Sequence, residues 1–290
     1  MRPRHGHDFH GACESSIEEL ARLFTACYEG YPYPAATDAL QLARRIREES
    51  IALDASFVLH ESDQAVGLVL LALRGHEAWC GGFGVRPAFR GLGWGQVLAD
   101  EMVRRAAGSG AARLRLEVLV GNGPALRTYE RAGLHITREV LVLAWRRSAT
   151  TAPDPILRPL DQISIAEAIA RAPGLVSTDA CWQRSHASLL SRSNLEAYEI
   201  SDHGARAWAI CVALPIRATR LLRLWGENDL ASLALLERLK ERLLSIGVVN
   251  EPADSPILPL LTKAGFTLSD RQYDMELPLA EVFRGARRAE

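Results

Sequence analysis

The fold of this chain is decided by VRPAFRGLGWG, which occupies residues 85–95. An apolar, glycine-containing strand is predicted before it, and residues 97–103 carry apolar side chains at helical spacing, so the order is strand, glycine loop, helix. Glycine exposes backbone N–H groups because it has no Cβ, and it readily adopts positive φ. The N-terminus of the following helix adds partial positive charge. The stretch therefore predicts a binding site for a diphosphate, with Arg90 adding a full positive charge at its rim.

Residue spacing separates this loop from two other phosphate-binding motifs. A Walker loop requires Gly-Lys-Ser/Thr, whereas the chain reads Gly95-Gln96-Val97. A dinucleotide fingerprint requires GxGxxG, and its last glycine would fall on Gln96 or on Leu98. Neither motif fits the loop.

The segments around the loop alternate between helical and strand patterns. Glycines at positions 81, 82 and 84 lie inside a predicted strand, which indicates a bulge or a close backbone approach. Strand, glycine loop, helix and strand is the order that gives parallel strands joined by a crossover. Helices are predicted at 14–26, 36–47 and 123–131, and strands at 56–60, 65–73, 77–85, 112–120 and 140–145.

The length of 290 residues is sufficient for two domains of ordinary size. A polar, Pro-rich segment at 148–156 is interpreted as a linker, which places one domain at 1–147 and another at 157–290. The second half repeats the predicted element order of the first, including a long helix at 230–246. Its strongest match aligns residues 256–266 without gaps on residues 124–134, with four identities in eleven.

The glycine loop and a downstream segment together resemble a known family. Arg90, Gly93 and Gly95, preceded by FGVRP at 83–87, resemble the coenzyme A signature of the GNAT superfamily of N-acyltransferases. The downstream residues resemble the second motif of that superfamily in type and spacing. They are Leu116, Glu117, Val118, Asn122, Ala125, Tyr129, Gly133 and Leu134. The resemblance covers residues 12–146 well and is mainly topological over 157–280. It implies an α/β (α+β) chain of two tandem GNAT folds, each with a mixed, centrally splayed sheet flanked by helices.

The resemblance also implies a co-substrate, acetyl-coenzyme A, and no metal. Its pantetheine arm would lie between two splayed parallel strands and bond to backbone groups of one of them. The amides of the glycine loop would hold the pyrophosphate, and Asn122 would reach the arm from the other side. The implied cofactor-binding residues are Phe83, Gly84, Val85, Arg90, Gly91, Leu92, Gly93, Trp94, Gly95 and Asn122.

The implied reaction is attack of an amine on a thioester in a ternary complex. Tyr129 is the expected general acid for the leaving thiolate, and Glu117 is the expected general base. His76, Glu77 and Cys80 are weaker candidates for the base. A cluster of tyrosines between the first two helices either forms the acceptor wall or packs a rigid turn. Its members are Tyr28, Tyr31 and Tyr33.

The second half lacks the residues of this predicted site. Glu227 and Asp229 stand where the pyrophosphate loop would be and would repel it, and Leu261 aligns with Tyr129. We therefore expect a degenerate second domain that no longer binds acetyl-coenzyme A in the usual way. The leading hypothesis is an N-acetyltransferase that modifies a primary amine on a small molecule or peptide. The alternative is a non-catalytic acyl-coenzyme A sensor or scaffold.

Composition limits the partners. The formal net charge is -1, and no apolar run approaches membrane-spanning length, so neither nucleic acid nor a membrane is an expected partner. Five scattered cysteines without a CxxC pair indicate a reducing, cytoplasmic location. His5, His7 and His10 are interpreted as part of a solvated tail. A homodimer is compatible with the sequence.

Overall fold

The computed structural model describes residues 6–33, 35–148, 158–172 and 180–279. It divides into two compact units. The first unit comprises residues 1–137 together with 274–290, and the second comprises residues 138–273. These bounds differ from the predicted domains, which were separated by a linker at 148–156. Residues 149–156 of that linker lie outside the described ranges.

The first unit contains four α-helices and five complete strands among its described residues. α1 and α2 each begin at a capping box, formed by Ser16 with Glu19 and by Asp38 with Gln41, which satisfies backbone donors at the helix start. The helices are α1 (Ile17–Cys27), α2 (Ala39–Glu49), α3 (Trp94–Gly108) and α4 (Gly123–Arg131). The strands are β1 (His7–Gly11), β2 (Phe57–Glu61), β3 (Gln64–Arg74), β4 (Glu77–Val85) and β5 (Arg113–Leu119).

The second unit repeats this plan. Its described strands are β7 (Asp161–Ile163), β8 (Leu195–Asp202), β9 (Ala205–Leu214), β10 (Ala218–Gly226) and β11 (Ser245–Pro252). Its described helices are α5 (Ile165–Arg171), α6 (His186–Ser191), α7 (Asp229–Arg242) and α8 (Leu258–Lys263). The strands β6 (His135–Arg146) and β12 (Thr267–Pro278) each contribute residues to both units.

Each unit takes its sixth strand from the other half of the sequence. The order is β1-β2-β3-β4-β5-β12 in the first unit and β7-β8-β9-β10-β11-β6 in the second. β6 pairs antiparallel with β11, from Arg146 opposite Ser245 to Val140 opposite Pro252. At the other end of the chain, the Leu279 N–H donates to the Ala112 carbonyl at 2.8 Å. We call residues 274–279 the exchanged segment, because they come from the second half of the sequence but belong to the first unit.

The sheet of the first unit splays in the middle, as predicted. β4 and β5 are parallel partners over three residues only, from Glu77 opposite Arg113 to Trp79 opposite Arg115. β4 then continues to Val85 and β5 to Leu119. A bulge at Gly81 accompanies the divergence, since Leu70 pairs with Gly82 whereas Leu71 pairs with Cys80. The two strands therefore enclose a wedge-shaped gap, which we call the first gap.

The glycine at the end of β4 reflects close helix packing. A Cβ at Gly84 would lie 2.6 Å from the Cβ of Cys27 on α1, which is closer than real side chains approach. α1 therefore rests directly on the strand that borders the first gap. α3 covers the same sheet with fully buried Leu98 and Met102, so the gap is framed by a rigid core.

Three sequence predictions need correction. The N-terminal histidines are not all in a solvated tail, because β1 pairs antiparallel with β2 from His7 opposite Glu61 to Gly11 opposite Phe57. Its sequence is mostly polar, as suits an edge strand, and carries no apolar period to reveal it. The long helix predicted at 230–246 ends at Arg242, and its last residues start β11. The strand predicted at 140–145 extends over His135–Arg146.

No helix among the described ranges is both long and apolar enough to span a bilayer.

Candidate active site

The glycine loop presents a row of backbone N–H groups at the start of α3. The N–H groups of residues 91–95 donate to no other protein group in the described structure, whereas the Gln96 N–H closes the first turn onto the Gly93 carbonyl at 3.0 Å. Gly93 is the N-cap of the helix with φ 96°, a conformation that favours glycine. Five neighbouring donors at the positive end of a helix form a cradle suited to an anion such as a pyrophosphate.

The Arg90 side chain does not extend from the rim of this cradle. Its Nη2 donates to the carbonyls of Cys27 and Glu29, both at 2.9 Å, and its Nε donates to Val85 at 3.0 Å. Its backbone N–H is also used, by the Pro87 carbonyl. Arg90 therefore ties the loop to the end of α1 and to the end of β4. The expectation of a charge aimed at the pyrophosphate is replaced by a positioning role.

Phe83 and Val85 lie on the part of β4 that borders the first gap. The Phe83 N–H donates to the Tyr28 hydroxyl at 3.3 Å, so this backbone donor is satisfied within the protein. The Val85 carbonyl accepts from Arg90. Both groups were expected to bond a pantetheine arm, and in this structure each has a protein partner. Binding of an arm here requires Tyr28 to release Phe83 or the arm to use other backbone groups.

Asn122 follows β5 and caps α4. Its Oδ1 accepts from the Ala125 N–H at 3.3 Å, which fixes the side chain at the helix start. The carboxamide nitrogen is then the group left to face a ligand. α4 approaches the glycine loop, because a Cβ at Gly95 would lie 3.7 Å from Thr128 Oγ1.

Tyr129 lies on α4 beside the first gap. Its ring meets the Phe83 ring edge-on at a centroid distance of 5.2 Å, and the residue is 7% exposed. Its hydroxyl has no hydrogen-bond partner within the described residues. Burial raises the pKa of Tyr129 well above its ordinary value, and the neighbouring Cys80, Tyr28 and Tyr31 raise it further. The hydroxyl therefore stays protonated and is a proton donor.

Glu117 lies on β5 two residues beyond the last β4–β5 pair. Its Oε2 accepts from the Trp79 indole Nε1 at 2.7 Å, and the residue is half-buried. Desolvation, followed by the charge of Asp274, raises the pKa of Glu117 to about 7. Trp79 and Arg115 act in the opposite direction. A carboxylate of this pKa accepts a proton at neutral pH, which is the property that a general base requires.

The remaining base candidates are less suitable. Glu77 forms an ion pair with Arg113 at the closed end of the sheet. Desolvation raises the pKa of the Cys80 thiol to about 12, so it is a neutral buried group.

The tyrosine cluster and α2 form another side of the site. Tyr28 stacks on Phe24 with ring centroids 4.5 Å apart, and its pKa is raised to about 12, mainly by burial. Tyr31 meets Tyr28 edge-on at 5.3 Å, and Tyr33 is 6.4 Å from Tyr31. The cluster is thus continuous with the core at one end and 36% exposed at Tyr33.

Sequence reasoning missed Arg45 on α2. Its guanidinium donates to the carbonyl of Gly81, the bulge residue, and pairs with Glu49 at 2.9 Å. It therefore holds the bulge of β4 from the side of α2. The helical spacing of α2 placed Arg45 among solvent-facing polar residues, and nothing in that pattern signals a contact 36 residues away.

The second unit has a similar gap with different contents. β10 and β11 pair in parallel over three residues, from Ala218 opposite Ser245 to Arg220 opposite Gly247. Beyond these pairs, the Arg184 guanidinium donates to the Val249 carbonyl of β11 at 3.1 Å and pairs with Glu251. The Arg184 carbonyl accepts from Arg223 of β10. Arg184 thus bridges the two diverging strands.

The start of α7 also differs from the start of α3, because a short, capped connection precedes α7. Only Glu227 and Asn228 separate β10 from α7, and Asn228 Oδ1 accepts from the Ala231 N–H at 2.8 Å. The Glu227 N–H donates to the Arg206 carbonyl. Leu261, which aligns with Tyr129, is fully buried. The connection before α7 therefore has no counterpart of the five-amide loop before α3.

Comparison with known proteins agrees with this geometry. Residues 17–134 match the model of the acetyltransferase (GNAT) family. A search of the curated proteins found no match. Among solved structures, a GCN5-related N-acetyltransferase from Sphaerobacter thermophilus is similar, with a TM-score of 0.68 and 15% identity over 96% of this chain and 97% of that one.

Two further solved structures are similar over nearly the whole chain. A tandem GNAT protein from the clavulanic acid biosynthesis pathway has a TM-score of 0.64 and 16% identity, covering 94% of this chain and 99% of its own. A GCN5-related N-acetyltransferase from Anabaena variabilis has a TM-score of 0.60 and 14% identity, covering 94% and 73%. At such identities the similarity demonstrates a shared fold. The chain thus has a tandem GNAT fold, and its residues 17–134 match the model of the acetyltransferase (GNAT) family.

Proposed function

We propose that the first unit is an N-acetyltransferase that moves an acetyl group from acetyl-coenzyme A to a primary amine in a ternary complex. The observation that carries the proposal is the row of five open amides at residues 91–95, at the N-terminus of a 15-residue helix and beside the first gap. A pyrophosphate is an anion that such a cradle accommodates, and a narrow gap between strands suits an extended arm.

Two side chains supply the proton transfers. The amine nitrogen attacks the thioester carbonyl carbon, an N–C bond forms, and Glu117 takes a proton from the nitrogen. The C–S bond then breaks, and the sulfur leaves with a proton from Tyr129. Exchange with solvent returns both side chains to their starting states. Positioned acids and bases of this kind are typically worth about 10²–10⁴-fold in rate.

The acceptor is an amine that enters from the side of the tyrosine cluster. Tyr28, Tyr31 and Tyr33 present aromatic surface, which attracts an amine through cation–π contact while it is still protonated. The ammonium group loses its first proton to solvent before it attacks, and Glu117, with its raised pKa, accepts the second proton from the nitrogen as the N–C bond forms. Small-molecule and peptide amines both satisfy this chemistry.

Calorimetry on a matched pair of variants tests the proposal. Gly93→Glu places a side chain and a negative charge in the cradle, and we expect it to abolish one-site binding of acetyl-coenzyme A. Gly110→Glu is the control, because Gly110 also has positive φ, has open space around it, and lies beyond the other end of α3. Equal loss of binding in both variants, with intact melting temperatures, would contradict the cradle.

A screen for thiol release with peptides, lysine, polyamines, aminoglycosides and amino acids follows the binding experiment. Release that depends on the amine supports the transferase. Tight binding without release by any amine would contradict it and support a non-catalytic acyl-coenzyme A sensor.

A further inference from the structure

One face of β5 carries a row of charged side chains. Arg113, Arg115 and Glu117 alternate along the strand with buried apolar residues, and so they share a face. Neighbours in this row are about 6–7 Å apart along the strand. An arginine side chain is long enough to span that distance, so Arg115 is within reach of Glu117.

The exchanged segment gives Arg115 a different partner. Arg115 Nη2 lies 2.7 Å from Asp274 Oδ2, and their side chains are 12% and 1% exposed. The Asp274 carbonyl also accepts from the Thr137 hydroxyl at 2.9 Å, which fixes the backbone at this position. Arg115 is therefore held toward β12, on the side of β5 away from the first gap.

Glu117 is left with a neutral donor, the Trp79 indole of β4. This arrangement matters because a carboxylate in a direct ion pair with arginine is a poor proton acceptor. A buried arginine that loses an ion pair is destabilised, and Glu117 is a carboxylate within reach of Arg115.

We propose that Asp274 is a positioning residue: by holding Arg115 in an ion pair, it keeps Arg115 from pairing with Glu117 and preserves Glu117 as a proton acceptor. This inference rests on the proposed function for its catalytic meaning. It assigns to the second half of the sequence a direct part in the site of the first unit, since Asp274 lies about 160 positions from its partner.

Groups on four elements act on Glu117. Trp79 and Cys80 do so from β4, Arg115 from β5, Asp274 from β12 and Glu49 from α2. The negative Asp274 and Glu49 raise the pKa of Glu117 in addition to desolvation, whereas Trp79 and Arg115 lower it. Loss of Asp274 removes one raising charge and releases a lowering one, so both effects have the same sign.

The test follows the Trp79 indole N–H by nitrogen–proton NMR during a pH titration, with the signal assigned by Trp79→Phe. The wild-type signal is expected to titrate near pH 7, because its acceptor is Glu117. In Asp274→Asn the midpoint should fall by about one pH unit or more. In Arg115→Gln, which removes the competing cation and keeps Asp274, it should rise instead. An unchanged midpoint in both variants would overturn the inference.

Glu276→Gln is the matched control. Glu276 lies two residues further along the exchanged segment. Its Oε2 is 3.6 Å from Nη1 of Arg113, which is the neighbour of Arg115 on the same face of β5. Its removal should leave the Trp79 midpoint within about 0.2 pH units of wild type. A shift as large as that of Asp274→Asn would mean that any change in β12 disturbs Glu117, and it would overturn the specific role of Asp274.

The acid limb of the pH profile of kcat/KM should move with the NMR midpoint. A double variant, Arg115→Gln with Asp274→Asn, should return both toward the wild-type position, because neither charge is then present. The NMR readout needs no acetyl-coenzyme A. A midpoint that depends on Asp274 in a protein without transferase activity would therefore defeat the proposed function and leave the positioning role intact.

Discussion

The two units share a splayed sheet but differ in what lies at the splay. In both, parallel pairing between the fourth and fifth strands stops after three residues, and the fourth strand carries a bulge where it diverges. Eight residues, 86–93, then connect strand to helix in the first unit, against two in the second. The gap is thus a property of the fold, whereas the anion cradle is a property of one connection.

The second unit closes its gap with its own chain. The Arg184 side chain donates to β11, and its carbonyl accepts from β10. Glu251 pairs with the Arg184 guanidinium and balances its charge. Burial and the neighbouring Arg184 lower the pKa of Arg223 to about 10, so this closure carries an electrostatic cost. Side chains of the second unit itself therefore lie between its diverging strands.

The largest difference between the units should be in the loss of kcat when a tyrosine hydroxyl is removed, with Tyr129 the sensitive position. Tyr129→Phe keeps the ring contact with Phe83 and removes the proton donor, so kcat should fall by about 10²–10⁴-fold with little change in acetyl-coenzyme A affinity. Tyr198→Phe is the control in the second unit, where the hydroxyl donates to Glu196. Steady-state kinetics on both variants tests this, and a similar loss in each would remove the functional distinction.

The next largest effect should follow from opening the second gap. Arg184→Met leaves Glu251 as an unpaired buried charge and should lower the free energy of unfolding by about 3–5 kcal/mol, measured by urea denaturation. Adding Glu251→Leu should recover much of that loss. Calorimetry on the double variant should still give the wild-type stoichiometry for acetyl-coenzyme A, because α7 has a capped start. A second binding event would show that Arg184 alone excludes the ligand.

A smaller effect should appear as a pH dependence of stability at Glu117. Because its pKa is raised to about 7 in the folded state, the folded protein binds a proton that the unfolded chain has released between about pH 4.5 and pH 7. Stability from this group is therefore complete below pH 4.5 and is lost as the pH rises through 7. Glu117→Gln should be more stable than wild type at pH 8 by roughly 1–2 kcal/mol, a figure reduced for partial solvent screening, and equal to it at pH 4.5.

Urea denaturation at the two pH values measures this difference. Glu196→Gln serves as the comparison in the second unit, where no proton-accepting role is proposed. A stability difference for Glu117→Gln that is the same at pH 4.5 and pH 8 would contradict a raised pKa.

The smallest effect compares two asparagine caps. Asn122 and Asn228 each accept from the N–H three residues on, so either change to alanine should lower the free energy of unfolding by about 1 kcal/mol. Only Asn122→Ala should also weaken acetyl-coenzyme A binding, since only that cap borders the first gap. Thermal denaturation and calorimetry on the pair separate the two roles, and equal affinity in both variants would assign Asn122 to capping alone.

The elements that sequence reasoning recovered are those whose signal is local. The glycine loop, the bulge glycines of β4 and the failure of the loop at Glu227 are all legible within about ten residues, because backbone conformation and helix capping are short-range effects. Tyr129 and Glu117 were expected because the segment that contains them resembles the second motif of the GNAT superfamily. Their geometry beside the first gap agrees with the roles expected of them, which remain proposals.

What sequence reasoning missed depends on contacts between distant residues. The pattern of residues 267–278 indicates a strand but does not say which sheet receives it, so the exchange of β6 and β12 was not foreseen. The destination of Arg90 was wrong for a related reason: an arginine beside a phosphate loop has many acceptors within reach, and the carbonyls at the end of α1 are far away in sequence. Composition carries no signal for either.

The exchanged segment also determines when the first unit can finish folding during synthesis. The ribosome synthesises residues 274–279 after the whole of the second unit, yet the first unit needs them beside β5, where the Ala112 carbonyl accepts from Leu279. The first unit therefore cannot complete its sheet during translation, and its edge at β5 stays open until the last strand emerges. Contacts of such long sequence separation slow folding, because a large loop must close before they form. A nascent chain stopped before residue 274 would expose that edge.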